Sequence, residues 1–103
     1  MTSISVRARA DTDIDTAIRH FMDHEPSAAA RFIDELEAAF RRISRNPGIG
    51  SPRYAELTEI DGLRSLPVKG FGYHVFYIEL DKSVAVVRVL HERRDVPSLL
   101  TDL

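Results

Sequence analysis

A histidine and several charged side chains stand directly after an apolar run near the end of the chain. Residues 86–95 read VVRVLHERRD, so imidazole, carboxylate and guanidinium groups follow β-branched residues. Imidazole gains and loses protons near neutral pH, and guanidinium groups bind carboxylates and phosphates through paired hydrogen bonds. Three interpretations are therefore open: a catalytic site, an anion-binding patch, or the charged end of a β-strand.

Elsewhere the sequence offers little evidence for a catalytic or metal-binding motif. The chain has no cysteine, which excludes a disulfide framework, a cysteine-ligated zinc and a thiol nucleophile. It has neither a glycine-rich phosphate loop nor an H-E-x-x-H motif. His20 and His24 have the spacing of two metal ligands on a helix, but no third ligand accompanies them, so two solvated histidines are the favoured interpretation. We therefore expect no metal and no cofactor.

Composition narrows the class of protein. The 103 residues suffice for one domain, predicted over residues 1–103, and the 44% hydrophobic content is that of a globular protein. The formal net charge is −2, so a nucleic-acid role would need a local basic patch. The N-terminal residues contain no apolar stretch of the signal-peptide kind, and no apolar run is long enough to span a bilayer. Together with the lack of cysteine, these features favour a cytoplasmic location.

The first half of the sequence predicts a strand and two helices. The stretch SISVRARA alternates, which is typical of a strand at a sheet edge or under helices. Asp11, Thr12 and Asp13 then predict a capped helix that begins near Thr12. A second helix is predicted to start at Pro26 and to stop at the sequence Asn-Pro-Gly, and the short link between the two makes an antiparallel hairpin. Its apolar stripe consists of Phe32, Ile33, Leu36, Ala39, Phe40 and Ile43.

The second half predicts three further strands, GLRSLPV, YHVFYIEL and SVAVVRVLH, joined by short turns that make neighbours antiparallel. Strict alternation along the last strand places Arg88 on the face of Val86 and Leu90. Both faces of that strand are mainly apolar, which favours a central strand covered on both sides. A final helical turn is predicted to dock through Leu99 and Leu100. The predicted fold class is α+β, with the order β-α-α-β-β-β and the antiparallel helical hairpin packed on one face of a small, mainly antiparallel sheet.

Basic residues concentrate in the β half of the chain. They are Arg53, Arg64, Lys69, Arg88, Arg93 and Arg94. If Arg64 and Arg88 share the sheet face away from the helices, they form a positive surface suited to a phosphodiester or an acidic partner. Isolated arginines that keep an exposed face soluble are the alternative, and spacing alone favours it. His91 likewise is either an acid–base group or a strand-end ring that packs and hydrogen-bonds a neighbouring loop.

Three segments together resemble a known protein family. RFIDELEAAFRRISRNPGIGSPR, GLRSLPVKGFGYHVFYIE and VAVVRVLHERRD are similar, in this order and over nearly the whole chain, to the ParE branch of the ParE/RelE toxins. These toxins belong to bacterial type II toxin–antitoxin systems and include the plasmid stabilisation proteins. The Asn-Pro-Gly-x-Gly turn, the Gly-Leu-Arg strand start and the RVLHxRRD ending carry the resemblance jointly.

The resemblance implies a partner and a fold. The fold of that family is the β-α-α-β-β-β order derived above. A cognate antitoxin would neutralise the toxin in a hetero-oligomer, and its C-terminal segment, disordered when free, would wrap along the helical hairpin and the sheet. An N-terminal ribbon-helix-helix part of the antitoxin would bind DNA and repress the operon, so that the toxin would meet operator DNA only indirectly.

The two branches of this superfamily act differently. RelE-like members cleave mRNA on the ribosome with basic residues on the sheet, whereas ParE-like members are described as inhibitors of DNA gyrase. The tail after Asp95 has no tyrosine, histidine or lysine, and the helical hairpin is long; both features resemble ParE. The resemblance therefore implies a gyrase inhibitor with no catalytic residues. The alternatives are a ribonuclease built on Arg64, His91 and Arg94, and a non-toxic paralogue that only binds its antitoxin. The residues expected to bind target or antitoxin are Arg64, Tyr73, Arg88, His91, Arg93 and Arg94.

Overall fold

The computed structural model describes residues 1–101 and confirms the α+β class and the predicted element order. Residues 102 and 103, the end of the domain predicted over residues 1–103, lie outside the described part. Within residues 1–101, no helix has both the length and the apolar character needed to cross a membrane. The elements are β1 (Ser3–Val6), α1 (Ala8–His24), α2 (Pro26–Arg45), a 3-10 turn (Pro47–Ile49), α3 (Arg53–Thr58), β2 (Leu63–Val68), β3 (Tyr73–Glu79), β4 (Ser83–His91) and α4 (Val96–Leu100).

The four strands form one sheet in the order β1-β4-β3-β2. β1 pairs with β4 in parallel, and the β3–β4 and β2–β3 pairs are antiparallel. β4 is therefore central, which confirms the prediction from its two apolar faces. Its side chains are buried on both sides of the sheet, at Val84, Ala85, Val86, Val87, Val89 and Leu90.

The predicted hairpin of α1 and α2 covers one face of the sheet. Only Glu25 separates the two helices, and Pro26 occupies the first turn of α2, where its missing N–H removes no helical hydrogen bond. The apolar stripe of α2 faces the sheet, with Phe32 and Ile43 fully buried. Burial of one such side chain stabilises the fold by about 1.5–3 kcal/mol, so the stripe fixes how the hairpin lies on the sheet.

The opposite face of the sheet is covered as well. Tyr54 of α3 and Val96 and Leu100 of α4 pack there in one apolar cluster with Leu63 and Phe76 of the sheet. Leu100 is fully buried, as the predicted docking of a C-terminal helical turn requires. The open basic sheet face that the arginine spacing suggested is not formed, because these apolar contacts occupy that face.

The start of α1 differs from its prediction. The helix begins at Ala8 rather than near Thr12, and no side chain caps its first N–H groups. The Thr12 hydroxyl donates to the carbonyl of Ala8 inside the helix, at 3.1 Å. The prediction that Asp11, Thr12 and Asp13 form the cap is therefore wrong. These residues lie within the first turns, and Asp13 is turned toward β4 instead.

Candidate partner-binding site

A β-bulge interrupts β4 beside the predicted site. The β3–β4 register shifts between Phe76 and Tyr77, and Val87 is the extra residue on β4. Val86 and Val89 consequently pack in the same cluster, on the side of the helical hairpin. The strict alternation predicted along β4 is wrong for this reason.

Arg88 forms a two-point ion pair with Asp13 at the bulge. The Arg88 Nε and Nη2 atoms donate to Oδ2 and Oδ1 of Asp13 at 2.7 and 2.9 Å. Asp13 Oδ2 also accepts the backbone N–H of Val89 at 3.0 Å, and Arg88 Nη1 donates to the carbonyl of Leu99 at 3.2 Å. Both charged side chains are only 13% exposed. These contacts tie β4 to α1 and α4, and the predicted binding role of Arg88 stays a prediction.

His91 lies at the end of β4, across the register from Tyr73. The two rings meet edge to face, with centroids 5.1 Å apart. The backbone N–H of Arg93 donates to His91 Nδ1 at 3.1 Å, so the neutral ring carries its proton on Nε2. These contacts match the interpretation of a strand-end ring that packs and hydrogen-bonds the following turn.

The turn after β4 is held by hydrogen bonds on both sides. The N–H of Glu92 donates to the carbonyl of Gly72 at 2.8 Å, and the N–H of Arg94 donates to the carbonyl of His91 at 3.0 Å. His74 Nε2 lies 3.1 Å from Oε2 of Glu92. Arg93 and Arg94 are exposed, and within residues 1–101 neither guanidinium group has a hydrogen-bond or ion-pair partner. A fixed backbone therefore presents two positive charges to solvent.

Tyr73 connects this turn to the aromatic residues under the helical hairpin. Its ring lies 5.1 Å from that of Phe32 and 6.1 Å from that of Phe21, in edge-to-face contacts. Burial raises the pKa of the Tyr73 phenol, and the nearby charge of Arg94 opposes that rise. The phenol is therefore a neutral hydrogen-bond donor at physiological pH.

Four of the six predicted binding residues line one cavity, which we call the β4-end pocket. It has a volume of about 240 Å³ and lies between α1 and the end of β4. Arg93 is outside its lining, although it is the neighbour of Arg94 in sequence. The polar residues that line it are Asp13, Thr16, Tyr73, Arg88, His91 and Arg94.

Arg64 lies apart from the β4-end pocket. In the sheet register it faces Tyr77, whereas His91 faces Tyr73, four residues away along β3. At roughly 3.3 Å per residue, that separation is about 13 Å along the strand alone. The three residues of the ribonuclease alternative, Arg64, His91 and Arg94, are therefore not brought together.

The side chain of Arg64 stabilises the turn that follows α2. Its Nη1 donates to the carbonyls of Gly50 and Gly48 at 2.8 and 3.2 Å. The hydroxyl of Tyr77 accepts the N–H of Gly50 at 2.8 Å and donates to the carbonyl of Pro47 at 2.7 Å. The Asn-Pro-Gly-x-Gly turn is thus bound from the sheet by two side chains.

A second cavity opens where the two helices meet the loop between β2 and β3, and we call it the hairpin-mouth groove. Its volume is about 560 Å³, and Phe21, Ala28 and Phe71 form its apolar floor. The charged side chains at its rim are Glu25, Arg31, Asp34, Glu35 and Lys69. The rings of Phe21 and Phe71 are 5.4 Å apart. Sequence reasoning did not predict this groove; the phenylalanine flanked by glycines in KGFG is the one local signal that could have indicated it.

Sequence reasoning missed Asp13 as part of the site, because its acidic type at a helix start suggested a cap.

The two histidines at helical spacing, His20 and His24, are exposed and stack with centroids 4.4 Å apart. Within residues 1–101, no three histidine, aspartate or glutamate side chains are grouped as metal ligands would be.

Comparison with known proteins identifies the family. The family described as "ParE toxin of type II toxin-antitoxin system, parDE" matches residues 4–96. The chain belongs to this ParE toxin family. A solved structure described as "Chromosomal ParDE TA system from P. aeruginosa" is similar in fold, with a TM-score of 0.72 and 19% sequence identity, over 88% of this chain and 96% of that one. Among curated proteins, none matches the sequence significantly. The resemblance read from three sequence segments is thereby confirmed.

Proposed function

We propose that this ParE-family chain is the toxin of a cytoplasmic toxin–antitoxin pair and acts by binding DNA gyrase, without catalysing a reaction. Family membership supports the toxin role. The separation of Arg64 from His91 and Arg94 carries the non-catalytic part, because a nuclease needs such groups around one phosphodiester. The acceptor atom Nδ1 of His91 is also occupied by the N–H of Arg93, which leaves no free basic nitrogen on the neutral ring.

The proposed partner is an antitoxin with a ribbon-helix-helix DNA-binding part and a C-terminal segment that folds on the toxin. The hairpin-mouth groove supports this partner, because an apolar floor with a charged rim suits an amphipathic segment. The similar structure from P. aeruginosa, described as a ParDE system, supports the same pairing. In such a hetero-oligomer the antitoxin supplies the contacts with operator DNA.

A ribosome-dependent ribonuclease is the second candidate. The observation that favours it is the convergence of Tyr73, His91 and Arg94 on the β4-end pocket. In that case His91 and Arg94 would have to position and activate the RNA without Arg64. A non-toxic paralogue that binds only its antitoxin is the third candidate.

Expression of the chain alone in a bacterial host, together with His91→Gln and Arg94→Gln variants, separates these functions. Growth arrest with DNA damage and intact mRNA is the result that the proposal predicts. Position-specific mRNA cuts that either substitution abolishes would instead identify a ribonuclease and overturn the proposal. Normal growth of cells that contain the folded chain would identify the non-toxic paralogue.

A further inference from the structure

The β4-end pocket has the features of a binding site for one carboxylate group. We propose that it anchors an acidic side chain on a protein segment whose apolar residues continue into the hairpin-mouth groove. The identity of that segment as part of the antitoxin rests on the proposed function; the carboxylate chemistry does not.

Among residues 1–101, the arginines and aspartate that line the pocket leave one positive charge without a counter-ion. Arg88 is already neutralised by Asp13, at 2.7 and 2.9 Å. Arg94 remains as a positive charge without an ion-pair partner among residues 1–101. Tyr73 lines the same cavity, and its hydroxyl makes no hydrogen bond within those residues. One incoming carboxylate would accept from both donors and compensate the charge of Arg94.

The turn backbone and the His91 ring of the site are held in place before a partner arrives. The bonds from Glu92 N–H to Gly72 and from Arg94 N–H to His91 fix the turn that carries Arg94. The ring of His91 is held by Tyr73 on one side and by the N–H of Arg93 on the other. A site that needs little ordering on binding keeps more of its interaction energy as affinity.

The surroundings favour a protein carboxylate over a nucleic-acid phosphate. A volume of about 240 Å³ lies below the range of roughly 300–1,000 Å³ typical of small-molecule sites and admits a single side chain. Nucleic-acid binding needs a row of phosphate contacts on a basic surface, whereas this chain has a net charge of −2 and the pocket offers one guanidinium group, that of Arg94, without an ion-pair partner among residues 1–101.

The two cavities are neighbours. Tyr73 of the β4-end pocket and Phe21 of the hairpin-mouth groove are in ring contact, with centroids 6.1 Å apart. From Thr16 of α1, at the pocket, to Glu25, directly after α1 at the groove, the distance is about 13 Å at roughly 1.5 Å per helical residue. About four extended residues span that distance, so one short segment reaches both cavities.

The test uses the full chain and the capped peptide Glu-Ala-Ala-Leu-Leu, with Gln-Ala-Ala-Leu-Leu as its neutral counterpart. Binding is followed by NMR at the Tyr73 ring and the Arg94 guanidinium group. The glutamate peptide should bind on the order of tenfold more tightly, a difference of about 1.4 kcal/mol, because only its carboxylate compensates the charge of Arg94. Arg94→Ala should remove this preference, Tyr73→Phe should reduce it, and the matched control Arg93→Ala should keep it.

Several results would overturn the inference. They are equal binding of the two peptides, no perturbation of Tyr73 by either peptide, equal losses in Arg93→Ala and Arg94→Ala, or tighter binding of a DNA duplex than of the glutamate peptide at the same site. The readout is independent of gyrase. A chain that prefers the glutamate peptide but leaves gyrase active contradicts the proposed target and leaves the carboxylate site standing.

Discussion

Asp13 in α1 binds Arg88 in β4 through two hydrogen bonds, although 75 residues separate them in sequence. The same carboxylate accepts the backbone N–H of Val89 next to the bulge. One aspartate therefore satisfies a guanidinium group and a main-chain donor at the point where β4 bends. The β4-end pocket depends on this junction, because both charged residues line it.

Asp13→Ala should destabilise the chain strongly. The substitution removes the carboxylate that binds Arg88, which is only 13% exposed, and leaves the N–H of Val89 without its acceptor. Loss of one partner from a buried pair costs about 3–5 kcal/mol, and the slight exposure here favours the lower end. Urea unfolding measures the effect. Asp15→Ala, at an exposed position of the same helix, is the matched control and should change stability by less than about 0.5 kcal/mol. Equal stability of the two variants would contradict this role.

Tyr77→Phe should weaken the turn after α2. The variant leaves the N–H of Gly50 and the carbonyl of Pro47 without their partner. An unsatisfied buried group costs about 1–3 kcal/mol, which thermal or urea unfolding detects. Tyr54→Phe is the control, since the hydroxyl of Tyr54 has no hydrogen-bond partner within residues 1–101. If Tyr54→Phe lowers the free energy of unfolding as much as Tyr77→Phe does, the hydrogen bonds to the turn are not the cause of the lost stability.

Two glycines in the β2–β3 loop separate backbone strain from side-chain crowding. Gly70 and Gly72 have φ values of +86° and +73°, so alanine at either position costs about 1–2 kcal/mol. A Cβ at Gly72 would also lie 2.7 Å from His91 Nε2, whereas one at Gly70 would have no neighbour within 4 Å. Gly72→Ala should therefore cost more than Gly70→Ala and should shift the NMR signals of the His91 ring. Unchanged His91 signals in Gly72→Ala would contradict the packing described.

Stability should fall at high pH because of two tyrosines. Burial raises the pKa of the Tyr73 and Tyr77 phenols above 10.0, an effect that Arg94 opposes at Tyr73 and the Gly50 N–H opposes at Tyr77. The unfolded chain therefore loses these protons first as pH rises. The stability contributed by the neutral phenols is complete below pH 10 and is lost as pH passes the raised folded-state pKa values. Urea unfolding across this pH range measures how steeply the free energy of unfolding falls with pH. That fall should be smaller in Tyr73→Phe. A stability that rises above pH 10 would contradict the direction.

The sequence predicted those features that repeat along an element. The helical spacing of Phe32, Leu36 and Ile43 predicted that these side chains are buried. The two apolar faces of β4 predicted that this strand is central in the sheet. The bulge at Val87 has no such signal, because the extra residue is the same type as its neighbours in the strand and does not interrupt the apolar pattern. The partner of Asp13 was hidden because contacts between distant residues follow from the tertiary fold and not from local pattern.

Of the predicted site residues, the sequence could group those that are neighbours in the chain but not those that only the tertiary fold brings together. His91 and Arg94 are close in sequence and at one strand end, so their shared cavity follows from the local chain. Arg64 was assigned from its strand position and from the family resemblance. In the structure its hydrogen-bond partners are carbonyls of the turn after α2, and no local pattern in the sequence indicates that contact.

Purified gyrase provides the most direct test of the central claim. Supercoiling by gyrase is measured at increasing amounts of the folded chain, with mRNA integrity measured in a parallel translation reaction. Loss of supercoiling at stoichiometric toxin with intact mRNA is the predicted result. Full supercoiling together with cuts at defined mRNA positions would contradict the account and make the β4-end pocket an active site.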